Sequence, residues 1–89
     1  MQQLIESIGK YLLAVVSPLI EHPDTAELRV AQTEDGESVR FRLLLDQGDV
    51  ARVIGRNGMT ASAIRSLAKA AGEKQGIKVV VHILSREEA

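Results

Sequence analysis

Apolar residues recur at Leu4, Ile5, Ile8, Leu12, Val15, Val16 and Leu19. Spacings of three and four put them on one face of a helix. Glu6 and Lys10, four apart, fall on the outer face and suit pairing there. Pro18 and Pro23 are stop signals, because proline lacks the N–H that a helix interior needs. The pattern therefore predicts an end between Ser17 and Glu21, then a turn over His22-Pro23-Asp24-Thr25.

The period then changes from helical to alternating. Leu28 and Val30 alternate with Glu27, Arg29 and Ala31, and Val39, Phe41, Leu43 and Leu45 alternate with Arg40 and Arg42. Period two predicts strands with one buried and one wet face. Thr33 to Ser38 separates them, and its Asp35-Gly36 pair is a hairpin-turn signal. Helical spacing returns in Val50, Val53 and Ile54, a short helix over about Gly48 to Ile54. The glycine-bounded stretch Gly55 to Gly58 interrupts it. A longer helix from about Met59 to Ala71 carries Met59, Ala63, Ile64, Leu67, Ala68 and Ala71 as its apolar positions, closed by Gly72 or Gly76. A last strand runs from Ile77 to Leu84 with Ile77, Val79, Val81 and Ile83 on one face, and Ser85 to Ala89 reads as a polar tail. The order predicts a two-layer α+β fold, three strands with three helices on one face, as one domain over residues 1–89.

Hydrophobic residues make up 45% of the chain, which is incompatible with a disordered segment. With no cysteine there is no disulfide, thiolate metal site or cysteine nucleophile. The longest apolar run, Tyr11 to Val16, falls far short of the about 20 residues of a membrane span. The first residues lack the basic start of a signal peptide. These features predict a soluble cytoplasmic protein without a membrane partner.

Net charge is −1, which argues against indiscriminate nucleic-acid binding, but the distribution is uneven. From Ala51 to Lys78, six basic residues (Arg52, Arg56, Arg65, Lys69, Lys74 and Lys78) face Glu73 alone, a local +5 against −6 elsewhere. A basic zone on an otherwise acidic domain draws a polyanion to one face.

Within that zone lies Gly55-Arg56-Asn57-Gly58. Glycine at each end lets the chain turn sharply and lets another backbone approach. The following helix starts at the loop, so its free N–H groups and partial positive charge suit a phosphate, with Arg56 as a bidentate donor beside them. A G-x-x-G spacing alone also fits a plain turn between helices; its place between two helices, after a hairpin and before a last strand, narrows the reading. There the chain resembles the KH domain in its bacterial type II order, through Val53-Ile54-Gly55-Arg56-Asn57-Gly58, Thr60-Ala61 and Ala63-Ile64-Arg65. In that family the loop clamps the backbone of about four unpaired nucleotides. Leu19-Ile20-Glu21-His22-Pro23, Val50-Ala51-Arg52-Val53-Ile54-Gly55 and Ala63-Ile64-Arg65-Ser66-Leu67 extend the resemblance to the small single-domain KhpA family.

That resemblance implies a cytoplasmic RNA-binding protein, an RNA chaperone, acting with the larger KH protein KhpB and linked to cell-wall homeostasis and cell shape. It also implies single-stranded RNA contacts at Gly55, Arg56, Asn57 and Gly58, flanked by Arg52, Val53, Ile54 and Arg65. The family often carries basic residues where this chain has Met59 and Ser62. Each missing charge removes part of the phosphate attraction.

Other chemistry finds little support. The loop lacks the lysine-serine/threonine ending of a P-loop, no G-x-S-x-G elbow occurs, and the carboxylates fall mostly in turns and at the ends. His22 and His82 stand far apart, so neither a metal nor a cofactor is expected. Arg40 and Arg42 fall on the outer strand face and read as solubilising, Lys69 as a solvated helix face, and Asp49 as a carboxylate near a helix start. Tyr11 and Phe41 fit the core, too few aromatics for a base-stacking platform. The expectation is non-catalytic RNA binding in a groove with Val50, Val53, Ile54 and Ile64, strengthened by a KhpB-like partner or a homodimer that could use the alanine face Ala61, Ala68 and Ala71. The alternative is a protein-interaction module of the same fold with little RNA affinity.

Overall fold

A computed structural model describes residues 1–88; of the tail expected from Ser85 on, Ala89 lies outside them. The elements are α1 (Gln2–Val16), β1 (Glu27–Gln32), β2 (Ser38–Leu45), α2 (Gln47–Ile54), α3 (Met59–Glu73) and β3 (Lys78–Ser85), with short 3-10 turns between them. This is the α+β arrangement of a type II KH domain.

α1 buries Leu4, Ile8, Leu12 and Val16, a stripe with a spacing of four. It stops where Pro18 enters, and the chain continues as a 3-10 turn, Ser17–Leu19. β1 and β2 form an antiparallel hairpin, and β2 and β3 pair in parallel, in the order β1-β2-β3. Parallel pairing needs a crossover, which α2, the loop and α3 supply. β2 is the central strand: Val39, Phe41, Leu43 and Leu45 are buried against the helices, with Phe41 fully enclosed. Val79, Val81 and Ile83 of β3 join them.

Three expectations are corrected. Val30 faces the helical side but is 41% exposed, because β1 is an edge strand and only Leu28 is packed against the core. The buried face of α3 is Ala61, Ile64, Ala68 and Gly72, while Met59 is 68% and Leu67 60% exposed. Gly72 does not close the helix. It lies buried inside it, where a Cβ would come within 2.6 Å of the Ile77 carbonyl oxygen and 2.3 Å of Val79 Cγ2. The helix is pressed so closely on β3 that only glycine fits, and the chain reverses at Gly76 instead (φ 72°).

Candidate nucleic-acid interface

The loop between α2 and α3 is built by backbone conformations that few residues tolerate. Gly55 adopts φ 74°, ψ 180°, a region open essentially to glycine. A Cβ there would lie 2.5 Å from Thr60 Oγ1 and 2.9 Å from Thr60 Cβ. Asn57 follows at φ 57°, ψ 23°, and among the described residues it is the one non-glycine with positive φ. Asparagine enters this region at low cost. Gly58 has φ 73°, ψ 12°, and its N–H donates to the Gly55 carbonyl at 3.2 Å. The Arg56 and Asn57 side chains are pushed into solvent by this turn. α3 begins at Met59 without a side-chain cap, so its first N–H groups open on the loop with their share of the helix dipole.

The flanking residues part company. Val53 is 0% exposed and Ile64 2%, so both support the loop from the core and offer no contact surface. That corrects the expectation that they line a groove; Val50 and Ile54, expected there with them, are partly exposed and pack against the core from its rim. Arg52 is exposed but engaged: Nη2 donates to Glu21 Oε1 at 2.6 Å, and Nε lies 3.5 Å from Asp49 Oδ1. A phosphate reaches Arg52 only in competition with these two carboxylates.

Asp49 does more than favour a helix start. It is 1% exposed and accepts the backbone N–H groups of Glu21 at 2.9 Å and His22 at 3.0 Å. Desolvation pushes its carboxyl up. The two N–H bonds, with His22 and Arg52 nearby, outweigh that and hold it below the usual carboxylate value. It clasps the α1–β1 connection to α2, the helix that ends in the loop.

Arg65 is exposed, and its Nε donates to the Val81 carbonyl at 3.2 Å, on the edge of β3 that no strand covers. Beside it runs a trough of about 280 Å³ between α3 and that edge, lined by Arg65, Ser66, Lys69 and Lys78 over Val79 to Val81. A second hollow of about 240 Å³ continues it past Lys69 and Lys78 to Gly76. Lys69 and Lys78 were not among the expected site residues. The four-residue step from Arg65 to Lys69 placed both on one helix face, but only the sheet edge makes that face a wall. On the other side of α3, Leu67 and Ala71 border an apolar groove of about 240 Å³ with Leu4, Ile8 and Tyr11 of α1. Ala61 and Ala68 are buried at 1% each, so of the alanines considered for a partner only Ala71 is available.

Among the described residues, no group of three or more His, Asp or Glu side chains is arranged to hold a metal ion, and no helix is long and apolar enough to cross a membrane.

A family model described as "KhpA/KhpB, KH domain" matches residues 9–83. This chain belongs to the KhpA/KhpB KH-domain family. It is similar to the RNA-binding protein KhpA of Streptococcus pneumoniae, 43% identical over 63 residues that cover 71% of this chain and 77% of that one. It is 38% identical to the RNA-binding protein KhpA of Bacillus subtilis over 72 residues, 81% and 86% of the two chains. With the KhpA of Clostridium acetobutylicum it shares 36% identity over 84 residues, 94% of this chain and all of that one. No solved structure matches it. The KhpA/KhpB family is non-enzymatic.

Proposed function

We propose that residues 1–89 act as one KH domain that binds short single-stranded RNA without catalysis. The observation that carries this reading is the Gly55-Arg56-Asn57-Gly58 turn, with two exposed polar side chains and an uncapped helix start at one spot. The relatives named RNA-binding proteins support it. The loop holds the sugar-phosphate backbone of about four nucleotides. Arg65 and Lys69 hold phosphates along the trough, and the free edge of β3 offers backbone groups to the bases. Arg52 contributes when a phosphate displaces Glu21.

The finer roles are an RNA chaperone in the cytoplasm, tied to cell-wall homeostasis and cell shape, working with a KhpB-like KH protein or as a homodimer. The apolar groove beside exposed Leu67 is the surface such a partner would cover. A grip of four nucleotides is a small contact, and joining two raises affinity by about 10² or more without new contacts.

A second reading, a protein-interaction module with little RNA affinity, is favoured by Met59 and Ser62 beside the loop and by the pairing of Arg52 with Glu21. Filter binding at several salt concentrations separates the two. Neutralising two to four phosphates gives a log–log slope of about −1.4 to −2.8 on single strands. Binding of unpaired RNA over duplex with that slope supports the first reading; no binding supports the second, and a preference for duplex counts against the first.

A further inference from the structure

We infer that the outer face of the sheet is a second RNA-phosphate surface, onto which a strand longer than the loop's grip passes from the α3–β3 trough around the edge of β3. All three helices pack on one side of the sheet; on the other side Leu44 is covered, at 2% exposed, while Arg40 and Arg42 on the same face of β2 are exposed. Register fixes what that side carries. Arg29 stands opposite Arg42, which stands opposite His82; Ala31, Arg40 and Val80 form the next row. Ser38 and Lys78 form the row beyond. Arg29, Arg40, Arg42 and Lys78 are all exposed, on a protein whose net charge is −1.

Like charges directly opposite one another destabilise a sheet. Here Arg29 and Arg42 are opposed, and Arg29 alone has a carboxylate partner, Glu27 at 2.7 Å. Among the described residues, Arg40, Arg42 and Lys78 have no ion-pair partner within 4.0 Å. The acids near this face stand at its ends: Glu34, Asp35 and Glu37 in the hairpin turn, and Glu27 beside Arg29. Solubility asks for charge of either sign, and for mixed signs rather than opposed like charges. A bound polyanion accounts for one sign gathered on one face.

Two more observations give the surface a shape and a direction. A hollow of about 290 Å³ opens at one end of the face, bordered by Thr33, Ser38, Arg40 and Lys78 beside Ala31 and Val80. Lys78 lines this hollow and the α3–β3 trough alike. It therefore stands at the lip where the trough meets the outer face, and Arg40 and Arg42 follow about 7 Å apart along β2. Hydroxyls and cations, with few aromatics, suit phosphodiester groups rather than stacked bases.

The inference rests on the single-stranded RNA reading, so the test uses two probes. Arg40→Gln/Arg42→Gln is titrated with a tetranucleotide and with an unstructured RNA of about 20 nucleotides at several salt concentrations. The tetranucleotide is expected to bind as in wild type. The longer strand is expected to bind about tenfold more weakly, with a slope less negative by about 1.4. Arg40→Lys/Arg42→Lys keeps the charges and is expected to retain both affinity and slope. Wild-type affinity and slope for the long RNA in the glutamine variant overturn the inference while leaving the loop reading intact. A wild-type protein that binds neither RNA overturns both. Loss of tetranucleotide binding in the glutamine variant also overturns the inference, since the two surfaces would then not be separate. So does binding of the outer face to phosphatidylserine vesicles with no RNA effect.

Discussion

Gly55→Ala tests whether the loop's shape is built into the backbone. At φ 74°, ψ 180° any other residue is strained, by about 1–3 kcal/mol. The new methyl would also meet Thr60, at 2.5 Å from Oγ1 and 2.9 Å from Cβ. The hydroxyl can rotate away, but Cβ is fixed to the first turn of α3, and crowding of this kind costs about 1–3 kcal/mol. A total of about 3 kcal/mol is expected. A chain of 89 residues is stable by about 4–13 kcal/mol, so this is a large fraction of the whole. The melting temperature should fall by about 12–24 °C. Gly58→Ala is the matched control: φ is 73° and nothing lies within 4 Å, leaving only the left-handed cost of about 1–2 kcal/mol. Thr60→Ala removes Oγ1 but keeps Cβ, so adding it to Gly55→Ala should leave most of the cost in place. Urea unfolding with thermal melts reads all four proteins. Gly55→Ala within about 0.5 kcal/mol of wild type, or no worse than Gly58→Ala, would refute the argument.

Three further outcomes follow from the same geometry. Gly72→Ala gains about 1 kcal/mol of helix propensity but puts a methyl 2.6 Å from the Ile77 carbonyl oxygen, which cannot rotate away, so melting should occur at a lower temperature and a rise would contradict the packing account. Asp49 has a depressed folded pKa, so its stabilisation is full above the unfolded carboxylate value of about 3.9 and is lost as pH falls through the folded one. The gap in urea midpoint between wild type and Asp49→Asn should therefore be wide at neutral pH and shrink under acid, and a constant gap would count against the clasp. Glu21→Gln removes the nearer of the two carboxylates that hold Arg52, so binding of short single-stranded RNA should tighten about two- to threefold with a slope more negative by about 0.7, and unchanged affinity and slope would show that Arg52 takes no part.

Patterns that depend on one element were legible in the sequence. The alternation of Val39, Phe41, Leu43 and Leu45 marks the buried face of β2, and the four-residue step through Leu4, Ile8, Leu12 and Val16 marks α1. The loop could be placed because glycines bounded it between two helical patterns. Facts set by the neighbouring layer were not legible. Periodicity favours large residues, so Met59 and Leu67 drew the apolar face of α3 away from Ala61 and Gly72, the small side chains that allow its close approach to β3. Val30 carries the inward pattern of a strand, but β1 lies at the sheet's edge. Asp49 is buried by backbone groups 27 and 28 residues away, and Arg52 is held by a partner 31 residues away; no local pattern records either. The row Arg29, Arg42, His82 exists only once register is known.

The central claim is that the Gly55–Gly58 turn grips RNA, and Arg56→Asp/Asn57→Asp tests it most directly. Both side chains are exposed on a turn, so circular dichroism and thermal melting should stay near wild type. Two negative charges beside the uncapped start of α3 oppose a phosphate directly. Titration with a short single-stranded RNA should show binding lost in the variant and kept in wild type. A folded variant with wild-type affinity for that RNA would contradict the account.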